Sequence, residues 1–184
     1  MDSGLMPARY AKALLEYAKE VGMDKHVYSN VKNLINNFSK HPEIKSVLDN
    51  PVVRIEDKRT LIIAAVGKDV CSAFTRFVDM LIQNKREGSI LLIALKFRDI
   101  YRDQNNIYFV KLTTVTSWKD ETVDKVKKII LNGRPGTVEF HYVVDATIIG
   151  GFVIEYDYNL LDASVLGQLK QIRKKFVEKN IRIV

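Results

Sequence analysis

The sequence predicts an α+β protein with two domains: an N-terminal bundle of six helices over residues 1–104, and a small α/β domain over residues 107–184 with a mixed sheet and two helices. Two observations lead to this prediction. Apolar residues recur at helical spacing through the first part, and after residues 104–106 the pattern changes to β-branched and aromatic runs. The composition, 47% hydrophobic and 28% charged, is typical of an ordered globular protein.

The first domain is predicted to hold six short helices with brief connections. They span residues 5–22, 24–39, 42–48, 55–66, 70–84 and 87–103. Gly22 and Gly67 end the first and the fourth helix, since glycine is a common helix terminator. Pro42 opens the third, because proline is tolerated at the first helical position. Short helices joined in this way indicate a compact bundle.

The second domain is predicted from β-branched and aromatic runs separated by helical patterns. Its strands are expected at residues 107–116, 137–144, 148–156 and 160–161, and its helices at 119–131 and 165–179. Residues 145–147 alone separate the second and third strands, so we expect these strands to form an antiparallel hairpin. Val138, Phe140, Tyr142 and Val144 alternate along the second strand and should share one face.

The sequence contains no recognisable constellation for catalysis, metal binding or cofactor binding. His26, His41 and His141 lie far apart, and none pairs with another at helical spacing. The single cysteine, Cys71, falls in an apolar helical run and is predicted to be a core residue. No phosphate-cradling glycine loop is present, and Gly150 and Gly151 are not followed by a helix N-terminus. We therefore predict a protein that is not an enzyme and that needs no cofactor or metal.

The positive charge is concentrated at the C-terminal end. The net charge is +7, and residues 163–184 carry six basic side chains and one acidic one. This basic helix is either a solvated face, favoured by the helix dipole, or a surface for an acidic partner. A basic nucleic-acid-binding helical protein is the alternative function, although the chain has neither helix-turn-helix spacing nor an aromatic RNA-binding signature.

The first and fifth helices carry more apolar surface than one core stripe requires. On the first helix, Tyr10, Ala13 and Tyr17 form a flank beside the core stripe, and on the fifth helix Ala73, Phe77 and Met80 do the same. A small alanine between two tyrosines would let another helix approach closely. Two interpretations stay open: a central helix that buries several faces, or a groove for a partner helix.

Several motifs together resemble a known family. They are Arg9-Tyr10-Ala11-Lys12-Ala13-Leu14, Val144-Asp145, Ile149-Gly150-Gly151-Phe152-Val153-Ile154, and Leu161-Asp162-x-Ser164 followed by Leu169. These residues are similar to the delta subunit of the rotary F-type ATP synthase, the bacterial counterpart of the mitochondrial oligomycin-sensitivity-conferring protein. The likeness covers essentially the whole chain. Two positions depart from the family pattern, because Ala163 and Lys85 stand where glycine is common.

The resemblance implies a peripheral-stalk (stator) subunit that links the catalytic head to the b subunits, so that the head does not turn with the rotor. In that family the first and fifth helices hold the N-terminal helix of an alpha subunit. The corresponding groove residues here are Tyr10, Ala13, Leu14, Tyr17, Phe77 and Met80. The resemblance also implies a place at the cytoplasmic face of the bacterial inner membrane, with membrane contact only through the complex and no nucleic-acid partner.

The C-terminal motif is expected to be structural and to support a second contact. We expect Gly151, beside Gly150, to allow close backbone packing, and Asp162 with Ser164 to fix the last helix on its sheet. The contact candidates for the b subunits are the basic residues of that helix, Lys170, Arg173 and Lys174.

Overall fold

The computed structural model describes residues 5–116, 118, 120–156 and 159–181. The chain divides into two compact units, Met1–Gln104 and Asn105–Val184. The first is helical and the second is a small α/β unit with a mixed sheet. The α+β fold class predicted from the sequence is therefore confirmed.

The helical unit follows the predicted order of helices. Its elements are α1 (Leu5–Glu20), α2 (Asp24–Lys40), α3 (Glu43–Asp49), α4 (Ile55–Val66), α5 (Ser72–Gln83), a 3-10 turn (Glu87–Ser89) and α6 (Ile90–Gln104). Gly22 and Gly67 follow α1 and α4 with φ of +67° and +110°, as glycine helix terminators do. The predicted sixth helix starts as the 3-10 turn, and regular α-helix begins at Ile90.

The core of the helical unit forms where α6 packs against α1 and α2. Phe97 and Tyr101 of α6 are buried, and the Tyr101 ring stacks on Tyr28 of α2 at a centroid distance of 4.2 Å. The helices bury the apolar stripes that their periodicity predicts, because each stripe faces a neighbouring helix. On α1 this stripe consists of Ala11, Leu14, Leu15 and Ala18.

Cys71 lies outside the core, contrary to the prediction. It is the residue before α5 and is partly exposed. Buried Asn30 of α2 holds this segment from both sides: its amide donates to the Asp69 carbonyl at 2.7 Å, and its carbonyl oxygen accepts from the Cys71 backbone N–H at 3.0 Å. The segment is therefore a hydrogen-bonded connection, and α5 begins two residues later than predicted.

The α/β unit contains a mixed sheet. Its elements are β1 (Ile107–Thr114), α7 (Asp120–Leu131), β2 (Thr137–Val144), a 3-10 turn (Ala146–Ile148), β3 (Phe152–Tyr156), β4 (Asn159–Asp162) and α8 (Val165–Ile181). The strand order is β2-β1-β3-β4. β1 pairs with β2 in parallel and with β3 antiparallel, and β3 pairs with β4 antiparallel.

The predicted hairpin between the second and third strands is wrong. β1 lies between β2 and β3, because the crossover through α7 brings β2 to one edge of β1 and leaves the other edge to β3. The short connection passes the end of β1, where the Asp145 N–H donates to the Thr114 carbonyl at 2.9 Å. A 3-10 turn then follows, and Ile149 adopts φ +67°. The predicted third strand therefore loses its first residues to this turn.

Val110, Leu112 and Ile154 form the buried centre of the α/β unit. Phe140 pairs with Val110, and Tyr142 with Leu112, so the alternating residues of β2 share the face of the sheet that carries the core. The Trp118 ring meets Phe152 edge-on beside this core, at a centroid distance of 5.1 Å. Tyr142 and Val144 lie on the same face but remain exposed.

Candidate functional site

A groove lies between α1 and α5, on the flank where the sequence shows surplus apolar residues. Its volume is about 320 Å³. The residues that line it are Ala13, Leu14, Tyr17, Arg76, Phe77 and Met80. The structure thus brings together five of the six residues that the resemblance assigns to the alpha-subunit groove. The sixth, Tyr10, is partly buried on α1 and is not among the lining residues.

The lining residues divide into a floor and a rim. Leu14 and Phe77 are 2% and 6% exposed, so the floor of the groove is also part of the helical core. Ala13 is exposed, and Met80 retains 36% of its surface. A small residue at the rim leaves space for an incoming side chain, and methionine adapts to irregular apolar partners. The groove is therefore a preformed apolar depression with an adjustable rim.

Arg76 is the lining residue that the sequence reasoning missed. Its Nη1 donates a hydrogen bond to the Tyr17 hydroxyl at 3.0 Å, which joins α5 to α1 across the groove. The available signal was its position next to Phe77, on a helix already singled out for its apolar surplus. Periodicity alone does not show that its side chain reaches the neighbouring helix.

A second, larger cavity of about 930 Å³ lies at the start of α1. Its lining residues are Leu5, Met6, Pro7, Ala8, Arg9, Lys12, Arg86, Ser89 and Leu92. It shares no lining residue with the groove between α1 and α5.

Gly151, the residue before β3, packs closely against the start of α8. It has φ +77°, and a Cβ built on it would overlap the carbonyl oxygen of Ala163 and lie 3.1 Å from the Cα of Ser164. Glycine is therefore required here both by conformation and by the close approach of two backbones. Gly150 is less restricted, since its Cβ would meet a Val165 methyl at 3.1 Å.

Asp162 and Ser164 cap α8 through a chain of hydrogen bonds. The Ser164 hydroxyl donates to Asp162 Oδ1 at 2.5 Å, and the Ser164 backbone N–H donates to the same oxygen at 2.9 Å. The Gly167 N–H in turn donates to Ser164 Oγ at 2.9 Å, which satisfies a free donor of the first helical turn. These bonds, from the Ser164 side chain first and then from its backbone, lower the pKa of Asp162.

The sequence reasoning missed Gly167, which completes the cap. A Cβ at this position would lie 2.5 Å from Asp162 Oδ2, so a larger residue would displace the carboxylate that holds Ser164. The sequence did contain a signal for this role: Gly167 is the third residue of the predicted helix, where a glycine does not serve to end the helix.

The two departures from the family pattern have different structural consequences. Ala163 is not among the residues with positive φ, so alanine fits this turn without strain. Lys85 has φ +53°, directly after α5 and Asn84, in the left-handed region that favours glycine. The lysine is therefore accommodated at a conformational cost at the end of a groove helix.

The three predicted contact residues on α8, namely Lys170, Arg173 and Lys174, are all exposed. The same helix also carries an apolar stripe outside the core, formed by Val165, Leu169, Ile172 and Phe176, which are 39%, 52%, 50% and 66% exposed. Their spacing of four, three and four residues is that of a helix seam that packs on another helix. The sequence reasoning singled out only Leu169 of this stripe.

Other kinds of site are not found within the described part of the chain. Across residues 5–116, 118, 120–156 and 159–181, no group of three or more His, Cys, Asp or Glu side chains is placed to hold a metal ion. No helix in these ranges has the length and apolar character needed to cross a membrane.

Comparison with known proteins assigns the family. The family model of the ATP synthase delta (OSCP) subunit matches residues 7–176. The chain belongs to the ATP synthase delta (OSCP) family. The resemblance noted in the sequence motifs is thereby confirmed.

Full-length relatives within the delta (OSCP) family agree with this assignment. The ATP synthase subunit delta of Phocaeicola vulgatus is 40% identical over 100% of both chains. That of Bacteroides thetaiotaomicron is 36% identical, again over 100% of both. A chain in the cryo-EM structure of the Toxoplasma gondii mitochondrial ATP synthase hexamer matches with a TM-score of 0.65 and 20% identity, covering 93% of this chain and 97% of that chain. This last match shows a shared fold.

Proposed function

We propose that this chain is a non-catalytic peripheral-stalk subunit of an F-type ATP synthase, which ties the catalytic head to the b subunits. The family assignment supports membership of the complex. The proposed link to the catalytic head rests on the groove between α1 and α5, because an apolar depression of this kind is expected of a helix-binding surface. The comparisons give no support to the alternative of a basic nucleic-acid-binding protein.

The occupant of the groove is proposed to be the N-terminal helix of an alpha subunit. An amphipathic helix would lay apolar side chains against Leu14 and Phe77, between the rim residues Ala13 and Met80. Burial of apolar area, at about 25 cal/mol per Å² before the costs of association, would supply the affinity. A contact of this kind lets a stator resist rotor torque without any chemistry of its own.

The groove proposal is tested by filling the groove. Ala13→Trp places a large ring at the exposed rim, and we expect it to weaken binding of a synthetic alpha-subunit N-terminal peptide at least tenfold in calorimetry. Ala64→Trp is the matched control, since Ala64 is an exposed helical alanine on α4 and does not line the groove. Equal affinities for both variants would refute the groove assignment. Tyr10→Asp is expected to have a smaller effect than Ala13→Trp, because Tyr10 does not line the groove.

The second attachment is proposed to lie on α8 and to contact the b subunits. The exposed stripe of Val165, Leu169, Ile172 and Phe176 supplies apolar area, and the cations Lys170, Arg173 and Lys174 flank it. A helix with an apolar seam and acidic flanks would complement this surface, the charges adding steering more than affinity.

Charge reversal tests the α8 surface. We expect Lys170→Glu with Arg173→Glu to slow association with the soluble part of the b subunits and to remove most of its salt dependence. The control reverses Lys125 and Lys128 on α7, which are exposed cations of the same unit. The same loss in both double variants would mean that net charge, rather than the α8 surface, governs association.

The proposal places the chain at the cytoplasmic face of the bacterial inner membrane, held there through the other subunits. It requires no nucleic acid and no cofactor. Flotation of the isolated chain with vesicles of anionic lipid tests the membrane part, and we expect the chain to remain unbound at physiological salt.

A further inference from the structure

The rim of the groove between α1 and α5 carries a cation. Arg76 is exposed on α5, and its guanidinium is held at the groove by the 3.0 Å hydrogen bond to the Tyr17 hydroxyl on α1. Both residues line the groove. Since the hydroxyl accepts one of the five N–H groups of a guanidinium, the remaining donors stay available to a partner.

No carboxylate in the described ranges forms an ion pair with Arg76. Asp79, one turn further along α5, is already engaged by Arg59: Nε donates to Oδ1 at 2.6 Å and Nη2 donates to Oδ2 at 3.3 Å. On α1, Glu16 precedes Tyr17 and Glu20 lies three residues after it, and neither forms a salt bridge with Arg76. The Arg76 guanidinium is thus oriented by a neutral hydroxyl and lacks an anionic partner within the described part of this unit.

We propose that Arg76 is a specificity-determining residue of the groove, which pairs with a carboxylate on the edge of the helix bound there. The occupant is therefore an amphipathic helix with an apolar face and an acidic residue beside it. Charge complementarity favours this occupant, because a guanidinium next to an apolar groove matches a carboxylate by paired N–H donors and disfavours a cation. The proposal rests on the proposed function, since it takes the alpha-subunit N-terminal helix as the occupant.

The test uses the full chain and a synthetic peptide of the N-terminal helix of the alpha subunit from the same genome. Arg76→Gln removes the charge but keeps a long side chain with a hydrogen-bond donor. Arg54→Gln is the matched control, because Arg54 is an exposed arginine at the start of α4 and does not line the groove. Far-ultraviolet circular dichroism confirms that both variants are folded.

We expect Arg76→Gln to weaken peptide binding about fivefold at low salt and to reduce its salt dependence, as loss of a rim ion pair does. Arg54→Gln should bind as the unmodified chain does. Each acidic residue of the peptide is then replaced by its amide in turn. One of these peptides should bind the unmodified chain about fivefold more weakly and show no further loss with Arg76→Gln, which is the signature of a coupled pair.

Two results would overturn this assignment while leaving the groove in place. In the first, Arg76→Gln binds the peptide with unchanged affinity and unchanged salt dependence. In the second, it binds more weakly, but every amide peptide loses affinity independently of Arg76. A different failure is distinguishable: if the unmodified chain does not bind the alpha-subunit peptide, both the proposed function of the groove and the role of Arg76 fall together.

Discussion

Gly151→Ala is expected to destabilise the α/β unit strongly, because the glycine meets two requirements at once. An alanine at φ +77° costs about 1–2 kcal/mol relative to an ordinary backbone conformation. Its Cβ would also overlap the Ala163 carbonyl oxygen and lie 3.1 Å from the Ser164 Cα, and backbone atoms cannot move aside as a flexible side chain can. Overpacking of this kind adds about 1–3 kcal/mol. The expected loss of stability is therefore about 2–5 kcal/mol.

Gly133→Ala separates the two contributions. Gly133 also has φ +77° and lies in the same unit, and a Cβ added there would meet nothing within 4 Å. This variant therefore carries the conformational cost without the contact, and the entropic gain of replacing glycine in the unfolded chain is the same for both variants. The difference between the two variants, about 1–3 kcal/mol, measures the approach of the two backbones.

Urea unfolding followed by Trp118 fluorescence gives the measurement. Trp118 is the single tryptophan of the chain and packs edge-on against Phe152, beside the core of the α/β unit, so its emission reports on that unit. With a slope of about 1 kcal/mol per molar urea, we expect the Gly151→Ala midpoint to lie at least about 1 M below that of Gly133→Ala. Equal midpoints would refute the argument that Gly151 is required by close packing.

Three further predictions concern the helical unit. Lys85→Gly should raise the free energy of unfolding by about 0.5–1 kcal/mol, because glycine adopts φ +53° without strain. Thermal melting followed by circular dichroism checks this, and an unchanged or lower melting midpoint would contradict it. Burial raises the pKa of Glu87, but hydrogen bonding to Lys58 and other contacts outweigh this effect, and the pKa is lowered overall. The charged Glu87 therefore stabilises the fold above the usual glutamate pKa, and this stabilisation is lost as pH falls through the lowered pKa. Glu87→Gln should therefore destabilise the unit at pH 7 in urea titrations and flatten this acid dependence, whereas a parallel loss at every pH would exclude the ion pair as the cause. A chain of residues 1–104 should melt cooperatively in calorimetry, since this compact unit has its own buried core; a broad, non-cooperative transition would count against an independent domain.

The fold class could be predicted because hydrophobic periodicity records which face of each element is buried. The stripe that includes Ala11 and Leu15 lies on the core side of α1, and Val138 and Phe140 share the core face of β2, as the pattern indicates. Periodicity does not record which strand lies beside which. The three residues between β2 and β3 suit a hairpin, but β2 and β3 lie on opposite edges of β1, with β2 reached through the α7 crossover. Strand pairing therefore depends on the tertiary arrangement, which the alternation of residues along one strand does not record.

The candidate site could be predicted in part for a similar reason. A surplus of apolar residues on two helices is visible in the sequence, and five of the six residues assigned by resemblance do line one depression. The contribution of Arg76 could not be inferred, because it depends on how far its side chain reaches toward Tyr17 on another helix. The α8 cap was visible as Asp162 and Ser164, but the contact between position 167 and the Asp162 carboxylate depends on the folded geometry and could not be inferred.

The two proposed attachment surfaces differ in how they are coupled to stability. The groove floor consists of Leu14 and Phe77, which are core residues of the helical unit, so substitutions there would change fold and binding together. Substitutions at exposed rim positions such as Ala13 and Arg76 are expected to change binding without changing the fold. On α8, Leu169 is more than half exposed and its stripe lies outside the buried core. Substitutions on this stripe are therefore expected to change binding with little effect on stability. Substitutions on the α8 stripe should therefore separate binding from stability more cleanly than substitutions in the groove floor.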